Sequence, residues 1–321
     1  MEAISKTKQK QMLEMNKSFA GMIRLVIEDP FRLCGLILRK LLSKYIRNDE
    51  MFIKWQFYFG MHKWPNIENP RTYNEKLQWM KLYDHNPEYI RMVDKVQAKE
   101  WVAEKLQTDE YCIPTLDVYD NLDEIDFDKL PNQFVLKTTH DSGGVVVCRD
   151  KNKLDVVEAR RKLKKSLNHD YFLEHREWPY KKVQRRIIAE QYMEDVDGGG
   201  LKDYKFFCFD GEPKYMFIAS NRGKDTRFDF FDIDFNHMQF EQGHPNSDRP
   251  IKKPAGWNKM LEIARKLSKG FYAIRVDLYD IKGKIYFGEM TLFHFSGNVP
   301  FDPEEWDYKF GDMLHLPNVC K

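Results

Sequence analysis

Cysteine is scarce. The five residues, Cys34, Cys112, Cys148, Cys208 and Cys320, are scattered and form no C-x-x-C pair. That excludes a zinc site recognisable from spacing and a disulfide framework, and it fits reduced thiols in the cytosol. Long apolar runs are also missing. The most apolar early stretch, residues 19–42, is interrupted by Arg24, Glu28, Asp29, Pro30, Arg32 and Arg39. Charges at the centre of a membrane helix cost roughly 2.5–3.5 kcal/mol each on insertion scales, so this stretch is not read as a span. The amino terminus is too polar for a secretory signal. Net charge is nearly absent, with 52 Lys and Arg against 50 Asp and Glu, and no global field marks a nucleic-acid binder. There is no internal repeat, no low-complexity tract and no G-x-x-x-x-G-K-[ST] phosphate loop.

What remains is a folding composition: 321 residues, 42% apolar and 14% aromatic, enough for two domains or one large one. Charge is uneven along the chain. Residues 1–48 hold ten Lys or Arg against four acids, a local excess of six. In that segment Leu33, Leu36, Ile37, Leu41 and Leu42 recur at helical spacing among Arg39, Lys40, Lys44 and Arg47. Two readings stand: a helix packed on the body of the protein, or a basic amphipathic helix on an anionic membrane surface. Further on, Thr72-x-x-Glu75 and Asp94-x-x-Gln97 each read as a capping box opening a helix, the second running to Leu106. Residues 111–119, 134–137 and 186–193 read as strands, and 154–168 and 257–269 as helices. Two hairpins follow, turning at Asp210-Gly211 and Lys282-Gly283. Asp302-Pro303 reads as a helix start with proline in its first position. Interleaved helices and hairpins give an α+β chain with mainly antiparallel sheets. The expected division is a helical basic extension over 1–63, a central unit over 64–185 and a carboxy-terminal unit over 186–321.

The chemistry gathers in three places. In the second hairpin Asp277 and Glu289 flank a turn centred near residue 283, which sets them opposite each other. Facing carboxylates repel unless neutralised, and a magnesium ion with phosphate oxygens in its shell would neutralise them. Arg275 stands two residues before Asp277, on the same strand face. An arginine-linked structural carboxylate pair is the plainer reading of the hairpin. In FVLKTTHDSGGVVV, residues 134–147, a strand lysine, Lys137, precedes a turn whose glycines allow a phosphate to approach backbone N–H groups. Taken alone, Lys137 is equally a residue reaching for water. In IIAEQYMEDVDGG, residues 187–199, a strand ends in Glu190-Gln191-Tyr192-Met193. Its edge can meet a nucleobase, with Asp197 placed for a ribose.

The order of these pieces resembles the ATP-grasp superfamily. More narrowly, NPRTYNEKLQWMKLYD, VDKVQAKEWV, LPNQFVLKTTHDSGG, DYKFFCFDGEPKY and FDPEEWDYKFGDML resemble its TupA-like branch, named for teichuronopeptide synthesis, over roughly residues 64–317. The resemblance implies an ATP-grasp fold, with ATP between two α+β lobes with antiparallel sheets. It implies Lys95 and Lys137 on phosphates under a loop of Ser142, Gly143 and Gly144. Glu190, Gln191, Tyr192 and Met193 would lie at adenine and Asp197 at the ribose. Asp277 and Glu289 would hold Mg2+, with Thr291 where ATP-grasp ligases usually carry a metal-binding Asn. Arg275 would steady the transition state, Lys205 would contact phosphate or substrate, and Arg222 would serve the acceptor carboxylate. The implied activity is an ATP-dependent carboxylate–amine ligase of surface polysaccharide biosynthesis. Its partners would be ATP, a carboxylate-bearing sugar or amino acid and an amine donor, with no nucleic acid. Its place would be the cytoplasm, peripheral at the inner membrane face through residues 1–48.

Other readings compete. The same grip on ATP serves a kinase of a sugar or alcohol. Asp232-Ile233-Asp234 matches the short metal motif of glycosyltransferases, though an acidic loop explains it as well. A non-catalytic ATP scaffold should lack one of Lys137, Asp277 or Glu289, and all three are present. His140 and His294 are read as satisfied polar residues or as acceptors for the proton of an incoming amine. The aromatics of 51–64 are read as core or as a sugar platform, and the basic run 159–165 as a solvated helix face.

Overall fold

A computed structural model describes residues 30–194, 201–220 and 226–317. The chain begins with helix α1 (Pro30–Ile37), a π-helical turn over Leu38–Leu42, α2 (Asp49–Met61), α3 (Tyr73–Tyr83), α4 (Glu88–Val93) and α5 (Gln97–Leu106). Strands β1 (Thr115–Tyr119), β2 (Phe134–Thr138) and β3 (Val145–Cys148) come next, then α6 (Val156–Leu167), α7 (Tyr171–His175), a 3₁₀ turn over Trp178–Lys182 and β4 (Ile187–Gln191). The rest is β5 (Asp203–Phe209), β6 (Glu212–Ser220), β7 (Arg227–Asp232), β8 (His237–Met238), β9 (Glu241–Gln242), α8 (Trp257–Ser268), β10 (Ala273–Ile281), β11 (Lys284–Thr291), β12 (Phe301–Asp302) and α9 (Glu305–Met313).

Two antiparallel sheets carry the molecule. The smaller runs β1-β4-β2-β3 and the larger β11-β10-β5-β6-β7-β8. The larger sheet is pinned by two tight hairpins. Asp210 and Gly211 have φ of 50° and 80°, and Lys282 and Gly283 have 56° and 83°, the paired left-handed residues of a type I′ turn. That turn matches strand twist, so β5 and β10, the strands that carry the charged side chains, are held in register. On one face of the larger sheet Phe206, Met216 and Val276 close a core with Met260 and Ile263 of α8, while Phe207, Phe217 and Phe230 pack together on the other face. A separate core of Phe134, Leu136, Leu163, Ile187 and Ala189 lies under the smaller sheet.

Several local expectations shift. Thr72 and Glu75 form the reciprocal capping box. Asp94 accepts N–H groups of Val96 and Gln97 at the start of α5. The strand expected over 111–119 is shorter, because Cys112 makes a single bridge to Phe287 and β1 begins at Thr115. Pro303 is not the first residue of its helix: Asp302 is taken by β12 and α9 begins at Glu305. The strand at 187–191 falls on the far side of the 185/186 boundary, yet it pairs with both β1 and β2 inside the smaller sheet.

The amino-terminal helices are docked on the body. Arg176, buried, donates to the carbonyls of Ser43 and Ile46 at 2.6 and 2.8 Å, pairs with Asp49 at 2.8 Å and sits 4.2 Å over the Phe52 ring. This bears on the packed-helix reading of 33–42. Even so, Ile37, Leu41, Leu42 and Tyr45 stay exposed. Phe52, Ile53 and Phe57 make one face of α2 core, while Trp55 and Trp64 remain partly in solvent. Among the described residues no helix is long and apolar enough to cross a membrane.

Candidate active site

The two sheets face each other across a cleft of about 470 Å³. On the smaller-sheet side, the strand lysine of FVLKTTHDSGG has an answer. Lys137 lies opposite Ile188 in the register and its ammonium is 2.5 Å from Oε2 of Glu190, a residue buried on β4. Lys99, from α5, pairs with the other oxygen of the same carboxylate. Burial pushes the Glu190 carboxyl upward, but Lys137 and Lys99 outweigh it and hold it below its ordinary value. Lys99 also donates to the Ile113 carbonyl at 2.7 Å. Nothing in its own helical pattern distinguishes Lys99, and sequence reading passed over it. The carboxylate of Glu190, a residue expected at adenine, is engaged by two lysines. Gln191, Tyr192 and Met193 follow at the open end of β4.

The glycine turn is built tightly at its root. Asp141 is buried, and its carboxylate accepts hydrogen bonds from the hydroxyls of Thr138 and Ser166. A Cβ on Gly144 would collide with those same two hydroxyls, so only glycine fits. Ser142 and Gly143 stand exposed at the tip, above the cleft. Lys95 donates to the Asp141 carbonyl at 2.5 Å, beneath the turn, and burial lowers its pKa against the pull of Asp141.

On the larger-sheet side, Asp277 and Glu289 are direct cross-strand partners, as their spacing about the turn required. Their environments differ. Asp277 is 0% exposed. Arg275 grips it in bidentate fashion at 2.7 and 2.8 Å, and Lys205 from β5 takes Oδ2 as well. Glu289 keeps 54% of its side chain accessible along the cleft and meets Arg275 Nη2 at 3.2 Å. Partial removal from bulk water within the cleft, with the charge of Asp277, raises its pKa. Arg275 also donates to the Thr291 hydroxyl at 2.8 Å and to Nδ1 of His294 at 2.6 Å. Since a guanidinium only donates, His294 Nδ1 is the acceptor and its Nε2–H turns to Gln242 Oε1 at 3.1 Å. Both nitrogens are used, which makes His294 a satisfied polar residue.

The donor set bears on the metal. Asp277 has both oxygens on cations and does not line the cleft. The Thr291 hydroxyl faces Arg275. Among the described residues no group of three or more His, Cys, Asp or Glu converges. Mg2+ asks for only one or two protein carboxylates, with phosphates and waters completing its shell. Glu289 fits that role; Asp277, expected as its equal, serves as counter-charge to Arg275 and Lys205 instead. Asp197 and Arg222, expected at the ribose and the acceptor, lie outside the described residues. The Asp232-Ile233-Asp234 triplet is a turn: Asp232 accepts the N–H groups of Asp234 and Asn236.

A second chamber, about 480 Å³, opens from the first. Ser142, Tyr180, Arg275, Glu289 and Phe295 belong to both. Its other walls come from α1 and the turn after it (Gly35, Leu36, Arg39), from α2 (Gln56, Phe59, Gly60), from Tyr171, His175 and Glu177, and from the loop 293–299.

The decisive comparison is with protein families. The family model described as TupA-like ATPgrasp matches residues 75–315. This chain belongs to the TupA-like ATP-grasp family. The larger and smaller sheets are then the two lobes of the ATP-grasp fold. Similar solved structures include a D-alanine–D-alanine ligase from Bacillus anthracis complexed with ATP, 14% identical over 70% of this chain and 63% of that one, TM-score 0.40. A D-cycloserine synthetase is 17% identical over 70% and 69%, TM-score 0.37. An N5-carboxyaminoimidazole synthase from Aspergillus clavatus is 14% identical over 64% and 46%, TM-score 0.37. The TupA-like chain therefore spans less than two thirds of the length of the first and third of these. No curated protein matches it by sequence.

Proposed function

We propose that this ATP-grasp chain activates a carboxylate with ATP and joins it to an amine, and that its substrates belong to surface polysaccharide assembly. The observation that carries the reading is the junction of the two chambers at Arg275 and Glu289. A triphosphate in the first chamber and a carboxylate in the second would meet there.

The residues divide the work. Lys95, Lys99, Lys137 and Lys205 line the nucleotide chamber, fixed charges aimed at phosphate oxygens, which is the main service a protein gives phosphoryl transfer. The Ser142–Gly144 tip supplies N–H groups and a cover against water. The end of β4, with Gln191, Tyr192 and Met193, would border adenine, and Asp197 the ribose. Mg2+, held by Glu289, would neutralise charge on the phosphates. Arg275 is locked by Asp277, so its Nη2 edge points to the junction with no freedom to swing away. There it would orient the carboxylate for attack on the terminal phosphate. The carboxylate comes from a uronic acid or an amino acid, and the amine partner enters through the second chamber. The basic helices before residue 48, with their exposed apolar side chains, suit a lipid-linked acceptor at an anionic membrane face.

The test is a screen for ADP release in which uronic acids are paired with amino acids, followed by product analysis. An amide with free phosphate supports the ligase. A phosphoester in place of the amide converts the reading to a kinase, and release that depends on a nucleotide sugar rather than ATP sinks it.

A further inference from the structure

The second chamber contains a carboxylate that the nucleotide grip does not use. Glu177 precedes the 3₁₀ turn Trp178–Lys182, which is anchored by Trp178 donating to the Asp84 carbonyl at 3.0 Å. Glu177 is 5% exposed, faces the chamber and makes no ion pair among the described residues. The cation that acts on it is Lys81 of α3, whose ammonium gives two of its three donors to the Ser296 carbonyl at 2.6 Å and Gln78 Oε1 at 3.0 Å. Ser296, whose hydroxyl makes no hydrogen bond of its own, lines the same chamber. Tyr171 and Tyr180 complete its charged and titratable surroundings, with Arg39 and His175 across the chamber.

We propose that Glu177 receives the ammonium of the amine substrate and takes its proton. This rests on the ligase reading. The other candidates are engaged elsewhere. His294 has both nitrogens bonded. His175 accepts from Gln56 Nε2 at 3.2 Å, and burial lowers its pKa to about 3. Glu289 is half exposed and meets Arg275 at 3.2 Å, and Glu190 is held by two lysines. Among the described residues of the chamber, Glu177 combines burial and chamber access with no direct ion pair. Burial raises its pKa to about 7 against the pull of Lys81, which is where a general base is most effective at neutral pH.

The step balances simply. The ammonium gives one proton to Glu177. The freed nitrogen pair attacks the acyl carbon, the carbon–oxygen bond to phosphate breaks, and phosphate leaves with that electron pair. The second proton lost by nitrogen goes to the departing phosphate, and Glu177 returns its own to water.

Hydroxylamine isolates this step, because it is uncharged at neutral pH and traps acyl phosphates without a base. The test uses the full chain, ATP and the carboxylate and amine that release ADP best. Glu177→Gln should bind ATP and form hydroxamate within about twofold of the unaltered protein, while amide formation falls at least about a hundredfold. Glu177→Ala should regain amide formation with added formate. Equal loss of both products, wild-type amide formation by Glu177→Gln, or failure of both variants to fold overturns the proposal. If the unaltered protein forms no hydroxamate with any carboxylate, the ligase reading itself fails and this inference falls with it.

Discussion

Both lobes of the cleft place one carboxylate between two cations, yet the two arrangements are built for different ends. On the smaller sheet, Glu190 sits between Lys137 and Lys99, and Lys137 is still 24% exposed. On the larger, Asp277 sits between Arg275 and Lys205, in full burial and with a two-pronged guanidinium. A lysine is a flexible point charge with three rotatable donors; an arginine fork has fixed directions. Lys137 can therefore turn a spare donor to phosphate oxygens while Glu190 stays paired with Lys99. The triad on the larger sheet cannot release Asp277 without leaving charges uncompensated in the interior. One lobe offers an adaptable grip, the other a rigid reference edge.

The comparison can be broken most severely at Asp277. Asp277→Ala would strand Arg275 and Lys205 as buried, unpaired cations, and removing one partner of a buried pair costs about 3–5 kcal/mol. A urea unfolding midpoint shifted by less than the equivalent of about 1 kcal/mol would show that water reaches this site and that its rigidity is not electrostatic. Lys137→Ala should behave in the opposite way. Its partner Glu190 keeps Lys99, so stability should move by no more than about 1 kcal/mol, while ADP release falls roughly 10²–10³-fold, as for the loss of one charge-stabilising donor. Equal damage to stability and turnover would erase the distinction between the lobes. Smallest of all is Thr291→Ala. It removes a single acceptor from Arg275, whose direction is already fixed by Asp277, so about 1 kcal/mol or less is expected in stability and a few-fold in turnover. A loss as large as that of Lys137→Ala would return Thr291 to the metal site.

Legibility in the sequence followed the range of the interaction. The facing of Asp277 and Glu289 could be read from distance to a Gly turn, because hairpin register is local arithmetic. The strand around Lys137, the glycine turn and the Thr72 capping box were legible for the same reason. The partners were not. Lys99 reaches Glu190 from a helix that gives no periodic sign of it, and Glu177 acquires its character from burial by segments more than a hundred residues away. The unequal surroundings of Asp277 and Glu289 were equally hidden, because Arg275 and Lys205 reach Asp277 through the fold. The helix start at Pro303 failed because β12 claimed Asp302 first.

The family match begins at residue 75, and Arg39, Gln56, Phe59 and Gly60 all precede it. One wall of the second chamber thus lies upstream of the portion shared across the family. On the proposed ligase reading, selection can remodel that wall to admit a new acceptor without disturbing the nucleotide grip, and a chain trimmed to the shared portion would squander its nucleotide on water.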